Sequence, residues 1–188
     1  MGKVIVYIAT SLDGFIARKD DDISWLDPFN TSGEDYGYRD FIKNIGTAVM
    51  GARTYEQSLA HPERLLTDLK NYILTSRSMP LAGAHRELWH GPLSELIQEI
   101  RRESKKDIFI VGGGQVISQF LNEGLIDEIH LFIVPVILGE GIPLFTGLQS
   151  EVSLNFIRAS PYSTGIVKLL YVPKSGTSGN LMIRNRLR

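Results

Sequence analysis

Residues 107–145 read DIFIVGGGQVISQFLNEGLIDEIHLFIVPVILGEGIPLF. The stretch opens on an unbroken apolar run, Ile108-Phe109-Ile110-Val111, the pattern of a strand buried on both faces. Gly112, Gly113 and Gly114 follow directly, and an amphipathic segment begins at Gln115. In that segment Val116, Ile117, Phe120 and Leu121 share one helical face, and Gly124 supplies a C-terminal stop. A strand, then glycines, then a helix start presents bare backbone N–H groups to an anion, commonly a phosphate. The same glycines also suit a plain tight turn that needs positive φ, and the triplet alone leaves both readings standing. Gly112 and Gly114 fill the first two positions of GxGxxG, but Ile117 stands where the third glycine belongs. Asp127 and Glu128 introduce a further apolar run rather than closing a second strand. The pattern therefore departs from a Rossmann domain.

Working outward, strands and helices alternate before this stretch and strands alone follow it. Residues 3–9, 47–50, 71–75 and 85–89 are apolar or β-branched and read as strands. A helix is predicted over 34–45, with Tyr38, Phe41, Ile42 and Ile45 as its stripe. A second begins at Pro92 as its first helical residue and buries Leu93, Leu96, Ile97 and Ile100. Arg101, Arg102, Lys105 and Lys106 at its end read as solvated charges that favour the helix C-terminus. Residues 129–138, 152–160 and 165–172 give three late strands, and Pro135 within the first predicts an edge or a bulge. The expected fold is α/β, with a mixed sheet that is parallel first and antiparallel at the end. One domain is expected over residues 1–173 and a flexible tail over 174–188.

Three strand ends carry similar chemistry. Gly112–Val116 is one. Gly51-Ala52-Arg53-Thr54-Tyr55-Glu56 is the second, and Thr75-Ser76-Arg77-Ser78 the third. Glycine, hydroxyl and guanidinium groups at several strand C-termini point to one extended, multiply phosphorylated ligand. Glu34 and Asp35 lie at the predicted helix start, where acids favour the macrodipole. The functional alternative sets one of them in an apolar cleft, with its pKa raised by desolvation, to handle a proton. The long polar loop 18–33 beside the first strand is a natural place for function, with a solvated surface loop as the plain alternative.

The 188 residues are 43% hydrophobic and 22% charged, enough for a substantial core. A net charge of −1 gives no general attraction to nucleic acid or anionic membrane. Without cysteine there is no disulfide, thiolate metal site or cysteine nucleophile. His61, His85, His90 and His130 have no close metal-ligand spacing, so no metal is expected. No GxSxG elbow, P-loop or kinase signature is present. No window has the apolar length of a membrane span and no leader pattern opens the chain, so a cytoplasmic protein is expected. Hydride transfer fits this equipment, because a cofactor supplies the reactivity and the protein supplies position.

These motifs resemble the dihydrofolate reductase-like superfamily, and within it the RibD C-terminal family, the reductase domain of riboflavin biosynthesis. The resemblance rests on residues 11–17 (SLDGFIA), 50–56 (MGARTYE), 111–114 (VGGG), 127–131 (DEIHL) and 135–145 (PVILGEGIPLF), in family order across 3–173. It implies a three-layer fold, a central mixed sheet with helices on both faces. It also implies an NADPH-dependent reductase acting on a pterin- or pyrimidine-like molecule, as 5-amino-6-(5-phosphoribosylamino)uracil reductase does. Carried onto this chain, Ala9 and Ile16 border the nicotinamide, and Gly51, Arg53 and Thr54 meet the cofactor phosphates. Gly112, Gly113, Gly114, Gln115 and Val116 cradle the pyrophosphate, while Thr75, Ser76 and Arg77 hold the 2′-phosphate. Ala52 follows Gly51 where an arginine would be closer to the pattern. Asp35, or alternatively Glu34, supplies or relays a proton, and Asp13 and Trp25 shape the substrate side. A dihydrofolate reductase proper and a non-catalytic NADPH-binding module are the alternatives, and the family resemblance implies a homodimer.

Overall fold

The computed structural model describes residues 1–30, 33–61 and 65–174. In chain order the elements are β1 (Val4–Ser11), β2 (Phe15–Ala17), a 3-10 turn (Ser24–Leu26), α1 (Asp27–Asn30) and α2 (Tyr38–Asn44). Next come β3 (Ile45–Gly51), α3 (Ala52–Leu59), β4 (Lys70–Leu74), β5 (Arg86–Trp89) and α4 (Leu93–Glu103). The chain continues through β6 (Asp107–Gly112), α5 (Gly114–Asn122), β7 (Glu128–Val134), β8 (Ile142–Pro143), β9 (Leu154–Pro161) and β10 (Val167–Pro173).

Eight strands form one sheet in the order β5-β4-β3-β6-β1-β7-β10-β9. Pairing is parallel from β5 through to β7 and antiparallel from β7 to β10 and β9, as the change in sequence pattern predicts. Alternation along each strand sorts side chains to the two faces. Val4, Val6, Val49, Ile108 and Ile110 pack against the stripes of α4 and α5 on one face. Ala48, Met50 and Ile73 pack against Tyr55 of α3 on the other, and there Phe132 and Val134 meet Trp25 and Ile166. Each fully buried Ile, Leu or Phe in these layers contributes roughly 1.5–3 kcal/mol. Among the described residues no helix is long and apolar enough to cross a membrane.

Four local expectations are corrected. Helix α2 covers Tyr38–Asn44 rather than 34–45, because Gly37 at φ +82° turns the chain into it and Ile45 already belongs to β3. Pro92 is the cap preceding α4, not its first helical residue. Pro135 marks neither an edge nor a bulge within a strand, because β7 ends at Val134 and runs between β1 and β10. Arg101 is not simply solvated; it donates to the Gly2 carbonyl and pairs with Asp127, tying α4 to the starts of β1 and β7. Lys174 donates its backbone N–H to Ser153, and the remainder of the expected tail lies outside the described residues.

Candidate active site

Parallel register lines up the candidate cofactor residues along one edge of the sheet. Gly51 pairs with Leu74, and Met50 pairs with Gly112. Thr75, Gly51 and Gly112 are thus neighbours where β4, β3 and β6 end. Two helices start there, α3 after Gly51 and α5 after Gly113, and neither start has a side-chain cap. Their first backbone N–H groups therefore remain available to an anion, which the partial positive charge of a helix start favours.

The glycines hold this edge open. Gly112 sits at φ +122°, and the Gly112–Gly113 peptide bond is cis. A Cβ on Gly113 would lie 3.6 Å from Thr54 Oγ1 and 3.9 Å from Ile16 Cδ1, so that space is bounded by the expected cofactor groups. A Cβ on Gly51 would come within 3.1 Å of Val116 Cγ2. Gly114 is fixed for another reason, since a Cβ there would stand 2.6 Å from the carbonyl oxygens of both Pro143 and Leu144. Gln115 is exposed on the first turn of α5. Gly51 and Val116 thus lie close together, as do Gly113, Thr54 and Ile16.

The two arginines expected to meet cofactor phosphates are already engaged. Arg53 donates from Nε (3.0 Å) and Nη2 (2.7 Å) to Asp21 Oδ2, and Arg77 pairs with Glu56 on α3. Thr75 closes a small turn, its Oγ1 accepting from the Arg77 N–H at 3.1 Å, and Ser76 is exposed beside it. His90 Nδ1 lies 2.6 Å from the Thr75 carbonyl oxygen, a contact absent from the sequence reading.

Next to this edge a cavity of about 350 Å³ opens on the face that carries α2. Tyr7, Ala9, Phe29, Tyr36, Phe132 and Ile166 are among its walls, with Glu34 and Asp35 on its rim. Tyr7 and Ala9 belong to β1, which pairs directly with β6, the strand that ends in the glycine edge. Trp25 is not a wall residue; it is buried beneath Phe132, Val134 and Ile166 and supports them. Its Nε1 is buried without a partner. Asp13 lies outside the cavity. Its carboxylate accepts from Ser11 Oγ, Leu138 N–H and Gly139 N–H, clasping the turn after β1 to the loop after β7. Those bonds, Ser11 first, hold its pKa below the usual carboxylate range.

Asp35 does reach the cavity, but it is not the desolvated acid of the functional alternative. Its Oδ1 accepts from Gly37 N–H at 3.0 Å and its Oδ2 from Arg39 N–H at 3.3 Å. These backbone donors, aided by Arg39 and Lys43, lower its pKa and keep it ionised. Glu34 accepts from the Tyr36 N–H at 3.1 Å.

Tyr36 is the hub that the sequence reading missed. It adopts φ +55°, unusual for a non-glycine residue, and its carbonyl accepts the hydroxyls of Tyr7 and Tyr162, each at 3.0 Å. Its own hydroxyl donates to the Phe29 carbonyl at 2.7 Å. Burial pushes the Tyr7 phenol pKa up, so that hydroxyl stays a donor. The ammonium of Lys168 sits 5.2 Å from the Tyr7 and Phe132 ring centroids, its pKa lowered by burial and by Arg158.

The model of the RibD C-terminal domain family matches residues 2–168. The chain belongs to that family. It is similar to the uncharacterized protein YwjB of Bacillus subtilis, 34% identical over 171 residues, covering 90% of this chain and 97% of YwjB. A solved structure of a protein attributed to riboflavin biosynthesis in Shewanella sp. PV-4 superposes with TM-score 0.83 at 30% identity, covering 92% of this chain and 99% of the other. Dihydrofolate reductase of Enterococcus faecalis, solved with NADP(H) and RAB-propyl, shares the fold at TM-score 0.65 and 15% identity, covering 92% and 96%. The fold is dihydrofolate reductase-like, and this member of the RibD C-terminal family has a reductase architecture.

Proposed function

We propose that the protein is an NADPH-dependent reductase that transfers a hydride to a flat, nitrogen-bearing heterocycle of the pterin or pyrimidine kind. What carries the reading is that β1, whose Tyr7 and Ala9 wall the aromatic cavity, pairs directly with β6, which ends in the uncapped glycine edge. Gly51, Thr54, Gly113, Gly114, Gln115 and Val116 would hold the dinucleotide's diphosphate, and Arg53 would neutralise it. Thr75, Ser76 and Arg77 would take the 2′-phosphate. Ala9 and Ile16 would flank the nicotinamide. When bound, NADPH supplies the hydride. The chain excludes water with Tyr7, Phe29, Tyr36 and Phe132 and orients the acceptor. Asp35, ionised, accepts hydrogen bonds from ring N–H or amino groups and steadies positive charge on the acceptor. It is thus an orienting anion rather than a proton store, and solvent at the open rim is the proton source.

The charged groups on the described cavity wall are Glu34 and Asp35, which favours an acceptor with N–H donors. A specific observation supports a second substrate reading: Lys168 and Arg158 beside the Tyr7–Phe132 wall suit a phosphorylated arm, as on a phosphoribosylaminopyrimidine. Absorbance decay of NADPH with dihydrofolate, an oxidised pterin and a phosphoribosylaminopyrimidine separates the readings. Oxidation with one of them, reduced at least about tenfold in Asp35→Asn, supports the reductase. Nucleotide binding with no oxidation by any heterocycle leaves a binding module instead. The reading includes a homodimer, for which the exposed Phe156 and Ile157 on edge strand β9 offer a surface; a one-chain mass in sedimentation would remove it.

A further inference from the structure

Both arginines that the proposed reading assigns to cofactor phosphates carry an internal carboxylate. Arg53 clasps Asp21 through its Nε–Nη2 edge, the kind of edge that grips phosphate oxygens in pairs. Arg77 is held by Glu56, one turn along the helix that begins after Gly51. The two pairs differ in what else they tie down. Glu56 and Arg77 are both solvent-accessible, and their pairing joins only two long side chains. Asp21 belongs to the loop after β2, which is closed by backbone bonds between Arg18 and Asp22 and between Asp21 and Arg18.

Asp21 is also held at a cost. It sits at φ +69°, and its Oδ1 is buried without a hydrogen-bond partner. Moving the loop away from Arg53 would relax the backbone and return that oxygen to water, offsetting the broken ion pair. The same loop follows Ile16, which borders Gly113. A diphosphate reaching Arg53 and a carboxylate already on Arg53 compete for the same donors.

We propose that Asp21 and Glu56 are built-in competitors for the dinucleotide's phosphates, and that Glu56 sets the preference between phosphorylated and unphosphorylated nicotinamide nucleotides. The inference rests on the cradle reading above. Asp21 opposes every dinucleotide, because all carry the diphosphate that Arg53 would meet. Glu56 opposes only the form with a 2′-phosphate, because Arg77 has nothing to release for a bare ribose.

Fluorescence titration of NADPH and NADH into the full chain tests this, using wild type, Glu56→Gln and Asp21→Asn. Both replacements remove charge with little change of shape, and Asn tolerates the backbone at position 21. Melting temperatures confirm that each variant is folded. Exposed ion pairs are weak, so the expected gains are modest: Glu56→Gln tightens NADPH about threefold and leaves NADH unchanged. Asp21→Asn tightens both nucleotides about equally, by roughly three- to fivefold. Unchanged affinities would overturn the inference. Weaker NADPH binding would overturn it too, by making the carboxylates supports that orient the arginines. If wild type binds neither nucleotide, the cradle reading itself fails, a result distinct from binding that ignores both substitutions.

Discussion

Two adjacent glycines separate a cofactor site from a merely tight turn. Alanine at Gly113 would place its methyl 3.6 Å from Thr54 Oγ1 and 3.9 Å from Ile16 Cδ1, ordinary contact distances, at φ −73°. The methyl fills space at the mouth of the cradle without displacing protein atoms. Alanine at Gly114 would instead meet two carbonyl oxygens at 2.6 Å, both on the backbone segment that includes β8. That overlap forces α5 or the 143–144 segment to shift, at about 1–3 kcal/mol. For a chain of this length the melting temperature should then fall by about 2–12 °C. Gly113→Ala should melt within about 2 °C of wild type, yet bind NADPH at least about tenfold more weakly, because its methyl occupies the space proposed for the dinucleotide. Thermal melts followed by NADPH titration measure both quantities on one sample. Gly113→Ala with undiminished NADPH affinity would refute the assignment of this edge to the dinucleotide. Gly114→Ala with unchanged stability would refute the packing argument.

Three further outcomes follow from individual side chains. Asp35, its pKa lowered by the N–H groups of Gly37 and Arg39, is ionised from pH 5 to 8. The wild-type pH–rate profile should therefore contain no limb in that window that Asp35→Asn removes, and its stabilising bonds should be lost only as pH falls through the lowered pKa, below 3.8. His130 lies between Tyr7, Phe41, Glu128 and Lys168, and burial lowers its pKa from 6.5. The unfolded state then takes up the proton first, so stability declines as pH falls below 6.5, with a slope of at most about 1.4 kcal/mol per pH unit. Denaturant melts between pH 5 and 8 should show this slope in wild type and lose it in His130→Leu. Phe120 is fully buried between α5 and the sheet, so Phe120→Ala should cost about 3–5 kcal/mol in denaturant unfolding, provided the surroundings do not collapse onto the cavity.

Where long periodic patterns carried the information, sequence and structure agree. The buried run at Ile108–Val111, the stripe of α5 and the switch from βα to ββ connections need only local patterning and the parallel register that it implies. That the candidate strand ends lie side by side was legible for the same reason, since strand ends of a parallel sheet fall on one edge whatever the loops do. The cavity wall was not. Tyr36 gains its role from φ +55° and from hydroxyls of Tyr7 and Tyr162, contacts across 29 and 126 positions that no local window contains. Asp13 sits beside an early strand like a functional acid, but two backbone N–H groups after β7 claim it. Asp35 lies on the cavity rim, one of the two readings its position allowed, but with its pKa moved opposite to a desolvated acid, because the turn at Gly37 aims backbone donors at it. The pairing of β2 with β8 joins strands too short to register as patterns.

The most direct test of the central claim is a competitive binding measurement: NADPH fluorescence titrated against wild-type protein, with NADH and 2′-phosphoadenosine nucleotides as competitors. The account predicts saturable one-to-one NADPH binding, tighter than NADH, with displacement by the 2′-phosphorylated fragment and loss of that advantage in Arg77→Ala. No saturable binding of either dinucleotide at millimolar concentration would contradict it.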